Sequence, residues 1–203
     1  MNNIPTINDL DHLVDFLNQC RCQQDFISLV HHLQLNHLQF RPYHSWSQDY
    51  YTRNLVARTD EYELLVLCWD EGQVTPIHNH QEQDCWMYLL EGQIMEKQYH
   101  VFDETGQELH LEQVDQAILT NQQAISIKEG SHTILNPGQA AYINDDIALH
   151  ALHNIHPGRS VTLHLYAKPI NECYVYSQAD SQFKRRYLSY HTTQPAPLPI
   201  ATD

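Results

Sequence analysis

Near Tyr51 the apolar residues of this chain change period. Before that point they recur at three- and four-residue spacing; after it they alternate, or run together in short bursts between turn-forming residues. A helix puts residues three and four apart on one face, and a strand puts alternate residues on one face. The change therefore divides the chain into a helical N-terminal segment and a longer β region. Leu10, Leu13, Val14 and Leu17 form one helical stripe, and Phe26, Leu29, Val30 and Leu33 form a second. Thr6 and Asp9 have capping-box spacing, so helices are predicted over about 6–37, with Pro42 closing the region.

The β region contains "NLVAR", "ELLVLCW", "CWMYLLEG", "QIMEKQYHVF", "AISIKEG", "AAYIND" and "VTLHLYAK". Turn signals separate them, among them Asp70-Glu71-Gly72, Asn136-Pro137-Gly138 and Pro157-Gly158. Many short strands at close spacing predict an antiparallel sandwich or barrel. The expected organisation is a helical segment over 1–40 packed on a β domain over 41–190, then a proline-rich extended tail over 191–203. No internal repeat is present.

Charge narrows the partners. Eleven Lys and Arg against 25 Asp and Glu give a net charge of −14, which repels phosphate backbones and anionic headgroups. Nucleic acid and membrane surfaces are not expected partners, and no apolar run approaches the roughly 18 residues of a membrane span. The N-terminal "MNNIPTINDL" has neither a basic nor an apolar leader region. Five cysteines without framework spacing fit free thiols in a reducing cytoplasm. Oligomeric state is not legible.

With 15 histidines in the chain, a lone histidine says little, and context decides. On an extended segment His78 and His80 would present both imidazoles to one side. Around them runs Gly72, five residues, His78-Asn79-His80, four residues, Cys85, six residues, Gly92. This resembles the first motif of the cupin superfamily, with Cys85 where most cupins carry a metal-binding glutamate. His150, three residues before Asn154, resembles the end of the second motif, although no Pro-x-Gly precedes it. The resemblance implies a mainly β, double-stranded β-barrel of jelly-roll type, with His78, His80 and His150 as the metal ligands. Three neutral imidazoles leave a divalent ion's charge uncompensated, so an anionic thiolate could join it. Imidazole suits iron, zinc, nickel and copper alike, and the ligand set alone does not name the metal.

Residues on two other strands have matching chemistry. Thr162, His164 and Tyr166 alternate with Val161, Leu163 and Leu165, so hydroxyl, imidazole and phenol share one face. Arg53 follows Tyr51 by two residues, and its planar fork suits a carboxylate. "YTRNLV", "LCW", "HNHQEQDC", "LLEG", "YINDDIALH" and "TLHLY" follow the order and approximate spacing of the cysteine dioxygenase family, which the chain resembles over about residues 40–190.

That resemblance implies one Fe(2+) per chain and oxidation of L-cysteine by O2 to cysteine sulfinic acid. It implies a relay of Thr162 (serine in the family), His164 and Tyr166, and an Arg53 clamp on the substrate carboxylate beside Tyr51. It also implies a Cys85 that can become joined through sulfur to the Tyr166 ring. The family's Ser-Pro-Pro after the tyrosine is here Ala167-Lys168-Pro169, which leaves its cis peptide open. Relatives preferring 3-mercaptopropionate tend to carry glutamine at the Arg53 position. The alternatives are such a 3-mercaptopropionate dioxygenase and a non-catalytic metal-binding cupin sensor.

Overall fold

A computed structural model describes residues 6–20, 23–30, 32–109, 113–114 and 125–193. Two short helices, α1 (Leu10–Leu17) and α2 (Gln23–Val30), are followed by a 3₁₀ turn at His37–Tyr43. The strands are β1 (Thr52–Arg58), β2 (Tyr62–Trp69), β3 (Asp84–Glu91), β4 (Ile94–Phe102), β5 (Ser126–Leu135), β6 (Ala140–Ile143), β7 (Leu149–Asn154), β8 (Ser160–Ala167), β9 (Glu172–Ser177) and β10 (Gln182–Tyr187).

The expected capping box is replaced by a simpler cap. Asp9, not Thr6, is the N-cap of α1, and its carboxylate accepts from the His12 amide at 2.8 Å. Thr6 lies outside the helix because its neighbour Ile7 pairs with Leu33, which ties the base of the helical pair together. The helical region is two eight-residue helices inside the expected 6–37, each carrying one of the two apolar stripes. Leu33, expected on the second stripe, belongs to that bridge.

Every strand ladder is antiparallel. One sheet has the order β1-β2-β8-β3-β6. Opposite it stand β5-β4-β7 and the hairpin β9-β10. The extended segment through Val74 and His78 bridges these two pieces, pairing with His153 and His150 on one side and Val175 on the other. The result is the jelly-roll barrel expected, with helices on its outer wall. β7, β9 and β10 were not among the strand segments singled out in the sequence. Their alternation is interrupted by histidine, tyrosine and arginine, which weakens the apolar signal.

Burial follows the two faces of the larger sheet. Leu64, Val66 and Cys68 of β2 and Val161, Leu163 and Leu165 of β8 pack outward against Leu13, Leu17, Phe26, Leu29 and Phe40. Leu65, Leu67 and Trp69 of β2 turn inward with Cys85, Met87, Leu89, Ile94 and Tyr166. A strand covered on both faces reads as a continuous apolar run, which is why "ELLVLCW" lacks alternation. Each fully buried Leu of this kind contributes about 1.5–3 kcal/mol.

Gly92 is a position that only glycine fills. It has φ +86°, and a Cβ there would lie 2.0 Å from Ser160 Oγ. Ser160 Oγ accepts from the Gln93 amide at 3.0 Å and donates to Asn154 Oδ1 at 2.7 Å. Asn154 in turn donates to the carbonyls of Asp70 and Gly158, both at 2.8 Å. The Asn154 of the expected second motif is therefore a latch between loops. Past β10 the chain stays on the barrel: Thr192 and His191 bond to β1 through the Leu55 amide and the Arg53 carbonyl. The proline-rich residues 194–203 lie outside the described residues.

Candidate active site

The inner faces of β1, β2, β7, β8 and β9 enclose a cleft lined by Tyr51, Arg53, His78, His80, His150, His164, Tyr166 and Cys173. All the histidines, the arginine and the tyrosines expected to act together are therefore gathered at one place. His78 and His80 come from an extended segment that is not a regular strand. His78 and His150 exchange backbone hydrogen bonds of 3.0 and 3.1 Å, which brings the two imidazoles side by side, their ring centroids 4.6 Å apart and their planes tilted by 50°. Asn79, between the two ligands, is pinned to β9: its amide donates to the Tyr174 carbonyl and its Oδ1 accepts from the Tyr174 amide at 2.8 Å. Gln81 and Glu82 then take positive φ, turning the chain into β3.

The three imidazoles of His78, His80 and His150 offer ligand atoms that all lie within 4.8 Å of one another. His150 Nδ1 donates to Glu96 Oε1 at 2.7 Å, and His78 Nδ1 to the Pro76 carbonyl at 2.9 Å. His80 Nδ1 stands 3.6 Å from Asp145 Oδ1, longer than a hydrogen bond, while the same carboxylate accepts from the His80 and Glu82 amides at 2.6 and 2.8 Å. The oxygens on His78 and His150 fix those two rings and leave their Nε2 atoms for the shared centre, the usual support of a metal-binding imidazole, while Asp145 holds the His80 backbone. Both ring nitrogens of His80 are buried without a hydrogen bond, and a metal ion would take the lone pair of one of them. Burial, with the neighbouring imidazoles adding to it, holds His78 and His150 well below the usual imidazole range. Both are neutral and offer lone pairs to a cation. The three-histidine site fits metal binding.

Across the cleft, β8 presents Thr162, His164 and Tyr166 inward, as the alternation predicted. Trp69 Nε1 donates to Thr162 Oγ1 at 3.0 Å, and Thr162 Oγ1 lies 3.0 Å from His164 Nε2. The indole donates to one lone pair of the hydroxyl, and the hydroxyl's remaining proton and lone pair hold the imidazole through Nε2, which leaves Nδ1 on the other side of the ring. That nitrogen is 3.9 Å from Cys85 Sγ. Cys85 is the direct cross-strand partner of Tyr166 and is fully buried behind it. Burial pushes the Cys85 thiol up, against a hydrogen bond with Tyr166 that lowers it; burial, then the thiol, hold the Tyr166 phenol well above its usual range. Both keep their protons. No cis peptide occurs among the described residues, and Lys168 takes φ +78° instead.

Arg53 lies on β1 with Tyr51 just ahead of it, and the Tyr51 ring stacks on Trp69 at 4.7 Å. Its Nη1 and Nη2 are buried and make no hydrogen bond to the protein. The sequence reading passed over Glu96, Asp145, Trp69, Tyr190 and Glu63. Glu96 and Glu63 were detectable in part. Each is an acid on the inward phase of a strand, with Ile94 in one case and Leu65 and Leu67 in the other.

The sequence profile of the family described as cysteine dioxygenase type I matches residues 4–179. Cysteine dioxygenase type 1 of Bos taurus is 31% identical over 170 residues, covering 83% of this chain and 76% of that protein. Its counterpart in Danio rerio is 31% identical over 177 residues, covering 83% of this chain and 79% of that protein. Among solved structures, an uncharacterized conserved protein with a double-stranded beta-helix domain from Klebsiella pneumoniae is 15% identical. Its TM-score is 0.43, over 71% of this chain and 84% of that one.

Proposed function

We propose that this chain, which belongs to the cysteine dioxygenase type I family, oxidises L-cysteine with O2 to cysteine sulfinic acid at an iron centre. The observation that carries the reading is Arg53. A buried guanidinium with two nitrogens free of protein hydrogen bonds faces the same cleft as the three imidazoles. Glu63 Oε2 stands 3.5 Å from Nη2 without a hydrogen bond, so the fork keeps its donors for a carboxylate that would meet them in bidentate fashion.

His78, His80 and His150 would hold one Fe(II) per chain. Bound there, the ion supplies the redox chemistry that couples a thiol to O2. The chain's own residues bind, orient and protect. Arg53 takes the substrate carboxylate, with Tyr51 as the adjacent wall. Leu67, Leu152, Ile170, Val175 and Leu188 line the rest of the cleft and keep it poor in water. Thr162, anchored by Trp69, orients the His164 ring, and His164 with Cys85 flanks the phenol. Tyr166 keeps its proton and donates a hydrogen bond to the reacting sulfur or oxygen. The balance is one thiol and one O2 giving one sulfinic acid, with both oxygen atoms on sulfur and no external reductant.

Cys85, the cross-strand partner of Tyr166, would be joined through sulfur to the Tyr166 ring, with loss of two hydrogens to an O2-derived oxidant. Such a link would lock the phenol's rotamer. No helix among the described residues is long and apolar enough to cross a membrane. Cys68, Cys85 and Cys173 are buried thiols, and the cytoplasmic setting proposed here is one that keeps thiols reduced.

The test is an iron-loaded oxygen-uptake assay with L-cysteine and 3-mercaptopropionate side by side. One O2 consumed per sulfinate formed, with cysteine preferred, is expected. Preference for 3-mercaptopropionate would overturn the substrate, and uptake without sulfinate would overturn the reaction.

A further inference from the structure

The carboxylate beside the Arg53 fork belongs to the protein itself. Glu63 stands near the start of β2, inward like Leu65 and Leu67, and is 0% exposed. Its Oε2 makes no hydrogen bond and lies 3.5 Å from Arg53 Nη2, which makes none either. A buried acceptor and a buried donor that face each other unmet are drawn together, and about half an ångström of movement would close them to a charge-assisted hydrogen bond of ordinary length. Glu63 would then occupy donors that a substrate carboxylate needs. The chain contains a competitor for its own binding residue.

The restraint on that competitor is at its other oxygen. Glu63 Oε1 accepts from Arg58 Nη1 at 3.0 Å and from the Tyr190 hydroxyl. The same hydroxyl accepts from Arg58 Nη1, so phenol, guanidinium and carboxylate form a closed ring of three contacts. Arg58 is exposed and its charge is screened by water, so its contribution is direction rather than field. Its Nη2 is held in turn by Asn171 Oδ1 at 2.8 Å. Burial, then the bond to Glu63, holds the Tyr190 phenol above its usual range, and it keeps the proton it donates.

Tyr190 is fixed through the backbone as well. The segment that carries it runs beside β1: the His191 amide donates to the Arg53 carbonyl at 2.7 Å, the Leu55 amide to the Thr192 carbonyl at 2.9 Å, and Thr192 Oγ1 to Asn54 Oδ1 at 3.0 Å. At its near end the Leu188 amide donates to the Asn171 carbonyl at 2.8 Å. The hydroxyl that holds Glu63 is therefore carried by the segment that holds Arg53, and one bonded unit sets the spacing between acid and fork.

We propose that the Tyr190 hydroxyl, backed by Arg58, holds Glu63 off Arg53 and so keeps the Arg53 fork open for the substrate carboxylate. The inference rests on the reading that Arg53 takes that carboxylate. Tyr190 does not line the cleft of the three imidazoles; it acts through Glu63 and is a positioning residue. Without the hydroxyl, Glu63 turns onto Arg53 and competes with the ligand. The imprint is a loss that needs two carboxylates at once, one on the ligand and one at position 63. A packing role gives neither dependence.

The experiment is an anaerobic spectroscopic titration of the full, iron-loaded chain with L-cysteine and with cysteamine, which lacks the carboxylate. The variants are Tyr190→Phe, Glu63→Gln and the double substitution. Tyr190→Phe keeps the ring and should weaken cysteine about tenfold, the worth of one hydrogen bond to a charged group, while cysteamine stays within about twofold. In the Glu63→Gln background the same substitution should cost cysteine less than about threefold, because a neutral amide competes poorly for the fork. Steady-state rates should show the matching split, with KM for cysteine rising in Tyr190→Phe and kcat little changed. If Glu63→Gln does not fold, the contrast between the two ligands in Tyr190→Phe decides alone. Equal weakening of both ligands, no weakening of either, or an equal cost in both backgrounds overturns the inference. A wild type that binds cysteamine as tightly as cysteine refutes the Arg53 reading instead. A wild type that prefers cysteine, with a preference that Tyr190→Phe does not move, refutes the Tyr190 inference alone.

Discussion

Glu96 offers a sharp test of how the metal site is built. Its Oε1 accepts from His150 Nδ1 at 2.7 Å, and both side chains are buried, at 2% and 1% exposure. That bond selects the tautomer in which His150 Nε2 has its lone pair directed to the centre. Glu96→Leu removes the acceptor and leaves the Nδ1 proton unsatisfied, at a cost of about 1–3 kcal/mol. Loss of such an oxygen behind a ligand imidazole weakens metal binding by about 10- to 100-fold. Glu96→Gln keeps an acceptor oxygen and should fall near the low end, about tenfold or 1.4 kcal/mol. The assay is competition for metal against a chromogenic chelator, with thermal unfolding of each metal-free variant as the control for folding. Wild-type affinity in Glu96→Leu would refute the argument that the carboxylate orients His150. A collapse of affinity in Glu96→Gln far beyond 100-fold would refute it in the other direction, since Glu96 would then be a ligand itself.

Arg53→Gln removes a charge-assisted pair with the substrate carboxylate, worth about 1.5–3 kcal/mol. It should therefore lower kcat/KM on cysteine by roughly 10- to 150-fold, and steady-state kinetics that leave cysteine and 3-mercaptopropionate equally discriminated speak against the clamp. The metal-free chain should lose stability as pH falls below the imidazole range. His78, His150 and His164 are held neutral when folded by burial, so below about pH 6.5 the unfolded state binds three protons that the folded state does not, and that stability is lost on acidification. Glu96, pushed up to about 7 by burial, binds one proton more when folded and opposes them. His44 and His153, also lowered chiefly by burial, add to the imidazole side, so the net is a loss of stability on acidification, which denaturant titrations across pH check. Peptide mapping after many turnovers should find the Cys85 and Tyr166 peptides joined in part of the protein, with a mass about two units lower. If they always separate without reduction, the link is absent and Cys85 is a small buried hydrophobe.

Much of the architecture was written in periodicity, and what escaped has physical causes. The divide near Tyr51 and the inward row Thr162-His164-Tyr166 follow from strand alternation with a covered outer face. Thr6 misled because a three-residue spacing says nothing about tertiary pairing. Ile7 is drawn into a bridge with Leu33, and Asp9 caps the helix in its place. His78 and His80 came together as expected, though on an irregular segment where bridges to His150 and Val175, rather than a ladder, set the direction. Glu96 and Asp145 support ligands 54 and 65 residues away in sequence, so no local pattern could pair them. The same holds for Glu63 and Tyr190, 127 residues apart.

The inner wall of the barrel carries a polar load that would be destabilising if left unpaired, because a buried polar group without a partner costs about 1–3 kcal/mol. Most of that load is met from within. Glu96 answers His150, the Pro76 carbonyl answers His78, Trp69 and Thr162 answer His164, and Arg58 and Tyr190 answer Glu63. The conspicuous exceptions in the cleft are the two ring nitrogens of His80 and the two terminal nitrogens of Arg53. One pair offers a lone pair to a cation, and the other offers a fork to an anion. A metal ion would meet the first and a carboxylate the second, so a ligand spanning the two carries a metal-seeking atom at one end and a carboxylate at the other. An amino acid thiol has that shape, so the unmet groups describe the substrate from the protein's side. The claim has a plain consequence: an inhibitor with a thiol and a carboxylate should need both His80 and Arg53 to bind tightly, and removing the second residue should cost little once the first is gone.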